Sequence, residues 1–308
     1  MAIQNTAGDL VQFLYVNESV YGTTPTSALV YGGDTATFTP KVDLSQNYIR
    51  LAGSRGIGTV VPGPYKCGFN ATMYDRVGYD WTTFFAVNAC GAAGGLTEHL
   101  GSFSAQIETL ENSYPVYNVY SGCKIDKLKI SCDKPGMPLI FDIDVMAQWV
   151  IWGGSKSMTG FQTVTVGADP SMPSGQVYCW SDKHMINIAG GGAATFPVSK
   201  WSFTLENHLV GMPLVVTGAD AYKLPLEAGA GISEGVRDIV FEYECPSTNE
   251  TYTNSKLANQ AITSLTVPVG AKTITLTDGV WEGNDLASKK QDLMTESGKI
   301  RFKSLTIA

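Results

Sequence analysis

The sequence predicts an all-β protein of antiparallel sheets, built as a sandwich or barrel, with one flanking α-helix. Charged residues make up only 16% of the 308 residues, while glycine occupies 33 positions, and this composition favours strands and turns over solvated helices. Apolar and polar residues alternate with a period of two along most of the chain, in stretches bounded by Gly, Pro, Asn or Asp. No low-complexity linker interrupts this pattern, so we expect residues 1–308 to form a single domain.

The predicted strands are half-buried, with one apolar and one polar face each. In CGFNATMY (67–74) the odd-numbered residues are apolar, whereas Asn70 and Thr72 lie on the other face. The same alternation appears in SFSAQIE (102–108), KWSFTLENHL (200–209) and DIVFEYEC (238–245), and TITLT (273–277) and IRFKSLTI (300–307) add strands near the C-terminus.

The segment KLKISCDKPGMPLIFDIDV (127–145) predicts a β-hairpin turning at its Pro-Gly pair. With the turn placed there, Lys129 faces Asp142 and Lys127 faces Asp144, while the apolar residues between them pair on the opposite face. A shift of one residue would exchange the two faces, so the pattern specifies one register. We therefore expect cross-strand ion pairs on the polar face of this hairpin.

A hydrolase is one alternative interpretation, in which Asp142, Asp144 and Glu108 act as catalytic acids or metal ligands. That chemistry requires a carboxyl group kept protonated in an apolar pocket, or several ligands that converge on an ion. In the predicted hairpin each aspartate has a lysine opposite, which favours a structural role.

The helix is predicted in YDWTTFFAVNACG (79–91). Asp80 can cap its first turn, the large apolar residues share one face, and Gly91 can adopt the left-handed conformation that ends a helix.

Other patterns argue against several function classes. The net charge is −7 and no Lys/Arg-rich run occurs, which excludes a protein that binds DNA tightly through its phosphates. No apolar stretch approaches the roughly 20 residues of a membrane helix, and no secretory signal is recognisable, so we expect a protein made and kept in the cytosol.

The 6 cysteines lack CxxC spacing and are expected to be buried free thiols. We predict no cofactor, no metal site and no enzymatic activity.

A carbohydrate-binding or adhesin-like sandwich on a virion or cell surface is the other alternative. Its sugar platform would use Trp149, Trp152, Trp180, Trp201 and Tyr178. However, Trp149 and Trp201 fall on the core-facing side of their strands, so core packing is the simpler interpretation.

Several segments together resemble the tail tube proteins of long-tailed phages and their prophage and archaeal-virus relatives. They are ESVYGTTPTS (18–27), DWTTFFAVNACG (80–91), YSGCKIDKLKISCDKPGMPLIFDIDVMAQ (120–148), KWSFTLENHL (200–209), GVRDIVFEYE (235–244) and IRFKSLTIA (300–308). The resemblance covers nearly the whole chain. It implies a β-sandwich with a flanking helix that joins five further copies in a hexameric ring, completing a continuous barrel.

The resemblance also implies that such rings stack into the tail tube, the conduit for ejected viral DNA. The expected location is the virion tail, assembled in the host cytoplasm. The expected partners are other copies of the chain, terminator, baseplate or tape-measure proteins, and double-stranded DNA in transient, non-specific passage.

From the resemblance and the strand pattern we expect two functional surfaces. The lumen wall is predicted to contain Lys127, Lys129, Asp142, Asp144, Ser102, Ser104, Gln106 and Glu108. Contacts between stacked rings are predicted for Tyr48, Arg50, Arg55 and Tyr65, within a long loop at about 46–66, together with an N-terminal arm at about 1–40. A C-terminal segment at about 246–308 is expected to be an elaboration of the basic fold.

Overall fold

The computed structural model describes residues 12–25, 30–43, 47–49, 59–61, 66–74, 80–111, 114–134, 136–154, 185–190, 194–211, 232–246, 261–287 and 295–308. The strands are β1 (Gln12–Glu18), β2 (Val30–Asp43), β3 (Asn47–Ile49), β4 (Thr59–Val61), β5 (Lys66–Tyr74), β6 (Gly91–Ala92), β7 (Gly95–Leu96), β8 (Ser102–Glu111), β9 (Tyr114–Cys132), β10 (Ile140–Ala147), β11 (Trp149–Gly154), β12 (Met185–Gly190), β13 (Ala194–Pro197), β14 (Lys200–Glu206), β15 (Val210–Gly211), β16 (Ile232–Ser233), β17 (Asp238–Pro246), β18 (Ile262–Val269), β19 (Lys272–Ala287), β20 (Thr295–Phe302) and β21 (Ser304–Ile307). The one α-helix in these ranges is α1 (Phe85–Cys90).

Eight consecutive neighbours form what we call the front sheet. Their order is β2–β5–β10–β9–β14–β17–β20–β19, and every adjacent pair is antiparallel. β1 pairs with β2 and β8, and the first half of β9 pairs with β8 and β11. The predicted all-β, antiparallel architecture is therefore confirmed.

A second set of strands forms the back sheet, in the order β13–β12–β18–β19–β21–β7–β6. β19 belongs to both sheets, because its residues 272–279 pair with β18 and its residues 280–287 pair with β20. The strand crosses from the back sheet to the front sheet at Gly279, where a Cβ atom would lie 2.5 Å from the ring of Phe302. Only glycine allows this close approach.

One hydrophobic core joins the two sheets and the helix. Its largest fully buried side chains are Trp81, Trp201, Tyr15, Tyr120, Phe13, Phe69, Phe84, Phe85, Phe103, Phe141 and Phe241. The back sheet contributes branched residues such as Leu265, Val267 and Leu276 to the same cluster. The apolar residues that produced the period-two pattern are thus the ones that fill the core.

The predicted helix is present, but it is divided. A 3₁₀ turn (Trp81–Thr83) precedes α1, and the Asp80 carboxylate accepts a hydrogen bond from the Thr82 N–H at 3.0 Å, which confirms the predicted cap. Gly91 ends α1 with φ 96, as predicted. The division lets both Trp81 and Phe85 turn inward, and the Trp81 indole N–H donates to the Val269 carbonyl at 3.0 Å.

The predicted hairpin register is confirmed. In β9 and β10, Lys129 pairs with Asp142 and Lys127 pairs with Asp144, while Leu128 and Ile130 are buried on the other face. The turn is closed by a hydrogen bond from the Met137 N–H to the Lys134 carbonyl at 3.1 Å.

The C-terminal strands are part of the core rather than an appendage. β18 to β21 contribute Ile262, Ile274, Ile300 and Leu305 to it, and the terminal residue Ala308 exchanges backbone hydrogen bonds with Thr273. Residues 247–260 and 288–294 of the predicted elaboration lie outside the described ranges. Five of the cysteines, Cys67, Cys90, Cys123, Cys132 and Cys245, are buried and form no disulfide, as expected, and Cys179 lies outside the described residues.

Candidate functional site

The face of the front sheet that points away from the core carries rows of polar and charged side chains, which we call the charged face. The rows follow strand pairing, because residues directly opposite each other in neighbouring strands project to the same side. The first row is Thr39, Asn70, Asp144, Lys127, Glu206 and Asp238. The second is Thr37, Thr72, Asp142, Lys129, Thr204, Val240 and Arg301, and the third is Ser131, Ser202, Glu242 and Lys299.

The ion partners on this face differ from the predicted ones. Asp144 pairs with Lys41 of β2 at 2.7 Å, and Lys127 pairs with Glu206 of β14. Asp142 accepts a hydrogen bond from the Thr72 hydroxyl at 2.7 Å. The predicted register is correct, but the long lysine side chains reach carboxylates that are not their direct cross-strand partners in the hairpin.

Acidic and basic residues nearly balance across the charged face. Lys299 pairs with Glu242 at 3.2 Å, and Lys200, at one end of β14, pairs with Asp133 at 3.1 Å. Arg301 contacts both Asp238 and Glu282. The face therefore presents a dense but nearly neutral set of charges over the neighbouring strands.

Three residues predicted to share this surface are buried instead. Ser102, Ser104 and Gln106 of β8 are only 8%, 2% and 6% exposed. The hydroxyl groups of Ser102 and Ser104 donate to the half-buried Glu18 carboxylate, at 2.7 and 2.6 Å. β8 lies beside β1 rather than in the front sheet, so its polar side meets another segment of the chain. The Glu108 side chain lies outside the described part.

Sequence reasoning missed the role of Glu18. Besides the two serines, its carboxylate accepts hydrogen bonds from the N–H groups of Gly22 and Gly122, at 2.8 and 2.9 Å. We call this the Glu18 network. Gly22 has φ 72, and a Cβ there would lie 1.8 Å from the Gln148 side chain, so the turn requires glycine. The sequence signal for this turn is the four-residue spacing of Glu18 and Gly22 in ESVYG.

A second charged group lies at the end of the first row. The His208 ring contacts Asp238 at 2.8 Å, and Asp238 also pairs with Arg301. The hydrogen bond from His208 and the charge of Arg301 lower the pKa of Asp238 below its ordinary value of 3.8. The ionised carboxylate is thus favoured in the folded state.

Because its folded-state pKa is lowered, ionised Asp238 stabilises the fold at pH values above 3.8, and this contribution is lost as the pH falls below that value. Asp238→Asn is therefore expected to reduce stability at pH 7 by no more than about 1 kcal/mol, since the pair is near the surface. Urea unfolding at pH 7 and pH 3 measures the effect. If wild type and variant differ in free energy of unfolding as much at pH 3 as at pH 7, the ionised Asp238 carboxylate is not the source of the stabilisation.

The described residues bear in part on the two alternative functions. Of the residues predicted for a sugar platform, Trp201 is buried in the core and Trp149 is half-buried, while the side chains of Trp152, Tyr178 and Trp180 lie outside the described part. No group of three or more His, Cys, Asp and Glu side chains in the described ranges is arranged to hold a metal ion. None of the helices there is long and apolar enough to cross a membrane.

The residues predicted for contacts between rings lie largely outside the described part of the chain. Arg50, Arg55 and Tyr65 lie outside the described residues, and Tyr48 is described only as a backbone position in β3, paired with Val60 of β4.

Comparison with known proteins gives a family. Among curated proteins, none matches the chain significantly. A family model described as "Phage tail tube protein" matches residues 8–307, nearly the whole sequence. This match supports a structural component of the virion tail and a role other than catalysis. It agrees with the resemblance carried by the sequence motifs and with the antiparallel architecture. The chain belongs to the phage tail tube protein family.

Proposed function

We propose that the protein assembles as hexameric rings that stack into the tail tube, and that the charged face lines the lumen through which viral DNA is ejected. The observation that carries this proposal is the charged face itself. It extends over neighbouring strands of one sheet, its charges nearly balance, and its opposite side is the core.

A nearly neutral wall suits a conduit for DNA. A lysine-rich channel would hold phosphates through release of their counterions, and each added contact would tighten binding. On the charged face, Lys41, Lys127 and Lys299 are each paired with a carboxylate. The paired cations leave little net attraction for a passing polyanion, while the polar surface stays hydrated.

Two open margins of the front sheet are available for neighbouring copies. Among the described strands, residues 35–43 of β2 pair only with β5, and residues 280–287 of β19 pair only with β20. The sheet between them has eight antiparallel strands, so the two marginal strands run in opposite directions. Edge-to-edge contact between copies would continue the antiparallel order and cover exposed edges, as a closed ring requires.

The proposed wall retains four of the predicted lumen residues, Lys127, Lys129, Asp142 and Asp144. Ser102, Ser104 and Gln106 are left out because they are buried in the protomer, the two serines against Glu18. The contacts between rings proposed for the loop at about 46–66, and the contacts with terminator, baseplate or tape-measure proteins, follow from the family alone. Assembly in the host cytoplasm has the same basis.

Neutralising lumen carboxylates should make the tube retain DNA. In Asp142→Asn/Asp144→Asn tubes, short duplex DNA is expected to co-sediment at low salt and to resist nuclease. Raising the salt to about 0.2 M should release it, because phosphate contacts are salt-dependent. Wild-type tubes should retain little DNA.

The matched control places the same added charge on the back sheet. Thr266 and Thr275 are cross-strand partners on the side of that sheet that faces away from the core. DNA bound to Thr266→Lys/Thr275→Lys tubes should be digested by nuclease because it lies outside. If DNA on the aspartate variant is digested as readily as DNA on this control, the charged face does not line the lumen.

A further inference from the structure

One end of the molecule presents the three most exposed large apolar side chains of the described residues. Val236, Val20 and Val210 are 84%, 63% and 60% exposed. Val20 and Val210 directly adjoin Tyr21 and Leu209 of a small buried cluster, formed by Leu100, Leu209 and Ile232 with Tyr21 and Met146 packed against it. Val236 follows Glu234, which binds the N–H of Leu100 in that cluster. We call these three side chains the valine surface.

The chain segment around each valine is anchored by a carboxylate. The Glu18 network holds the turn that contains Val20. Asp126 accepts a hydrogen bond from the N–H of Leu209, next to Val210, at 2.6 Å.

Near Val236, Glu234 accepts from the Leu100 N–H at 3.1 Å and pairs with Lys124 at 2.7 Å. On the other side of that valine, the Arg237 guanidinium donates to the Thr97 carbonyl. Lys124 also lies over the ring of Tyr21, 5.4 Å from its centroid, which links this segment to the turn that contains Val20.

These anchors show that the exposure of the valines is built into the fold. An exposed valine forgoes the roughly 1.5 kcal/mol or more that its burial would contribute. Charged hydrogen bonds anchor the neighbouring segments and hold the valine side chains outward. Apolar side chains that stand out beside one apolar cluster in this way suit a contact site.

The position of the valine surface indicates how a partner would approach. It lies where β14 ends at Glu206 and where β17 begins at Asp238, beside Gly122 in the middle of β9. It is therefore at one end of the front sheet. β2 also ends and β5 also begins beyond the first row of the charged face, at this same end. A partner here would be stacked along the strand direction.

We propose that Val20, Val210 and Val236 form the contact surface for a second copy of this chain stacked end to end, between successive rings of the tube. This inference rests on the proposed function, since a tube of identical protomers brings another copy against every strand end. Lateral contacts within a ring use the sheet margins and leave the valine surface free for axial contact.

The test compares assembly of Val210→Asp/Val236→Asp with wild type by electron microscopy and sedimentation. The variant is expected to fold and to form single rings but to lose tubes, because buried unpaired carboxylates oppose stacking. Val30→Asp is the matched control: Val30 is 41% exposed and lies outside the cluster, so its tubes should persist. Variant tubes of wild-type length would overturn the inference, and so would a folded variant that forms no rings.

A labelling experiment covers the case in which the aspartate variant fails to fold. Val236→Cys should react with a maleimide in unassembled protein and lose that reactivity in tubes, after subtraction of the parent chain's labelling. Equal reactivity in both states would overturn the inference. If wild-type protein forms neither rings nor tubes, the proposed function fails and this inference fails with it. If the valine surface contacts another tail protein and not a second copy of this chain, the cysteine stays reactive along the tube. That outcome would also overturn the inference.

Discussion

Replacing Glu18 with alanine is expected to lower the free energy of unfolding by about 3 kcal/mol, since hydrogen bonds to a charged group contribute more than neutral ones. The substitution removes the acceptor of four hydrogen bonds, from Ser102, Ser104, Gly22 and Gly122. It leaves donors between β1, β8 and β9 without their partner. Urea unfolding followed by tryptophan fluorescence measures the loss.

The control for this experiment is Glu98→Ala, which removes an exposed carboxylate and should change stability by less than about 0.5 kcal/mol. Glu18→Gln should fall between the two, because the amide retains one acceptor oxygen. If Glu18→Ala unfolds at the same urea concentration as Glu98→Ala, the network does not hold the turn.

Phe141→Ala is expected to lower the free energy of unfolding by about 4 kcal/mol, which is typical for the deletion of a fully buried aromatic ring. Phe141 is 0% exposed, stacks on Phe85 of α1 with 4.5 Å between ring centroids, and lies 5.8 Å from Trp81. The ring joins the front sheet to the helix segment, so its loss leaves a cavity that neither side can fill. Chemical denaturation at pH 7 gives the value.

The corresponding surface control is Val280→Ala on β19, where 48% of the side chain is exposed. Its effect should stay below about 0.5 kcal/mol. A loss of less than about 1 kcal/mol for Phe141→Ala would mean that the helix does not depend on this contact, contrary to the described core.

The parts of the fold that could be predicted from the sequence are those fixed by neighbours in the chain. The hairpin register followed from residues within 127–145, because one alignment alone separates the lysines and aspartates from the apolar residues. The ends of the helix followed from Asp80 and Gly91, whose conformations and hydrogen bonds are local. Such signals need no knowledge of the tertiary structure.

What could not be predicted depends on strands that are distant in sequence. Ser102 and Ser104 of β8 are buried where they donate to Glu18 of β1, across 84 residues in the case of Ser102. The ion partner of Asp144 is Lys41, which is 103 residues away. The period-two pattern identifies the two faces of a strand, but it cannot say which other segment covers the polar one.

The candidate site divides in the same way. The four charged residues of the hairpin lie together on the charged face, as their spacing indicated. The carboxylates that fix the valine surface were not recognised, because Glu18, Asp126 and Glu234 come from separate segments and follow no motif of catalysis or metal binding. Their common role appears only where they accept hydrogen bonds from the backbone of distant segments.

Electron cryo-microscopy of assembled tubes tests the central claim most directly, which is that the charged face lines the lumen. We expect density for the side chains of Lys127, Lys129, Asp142 and Asp144 on the inner wall, with Thr266 and Thr275 outside. Density that places those four side chains on the outer surface, or a purified protein that stays monomeric at high concentration, would contradict it.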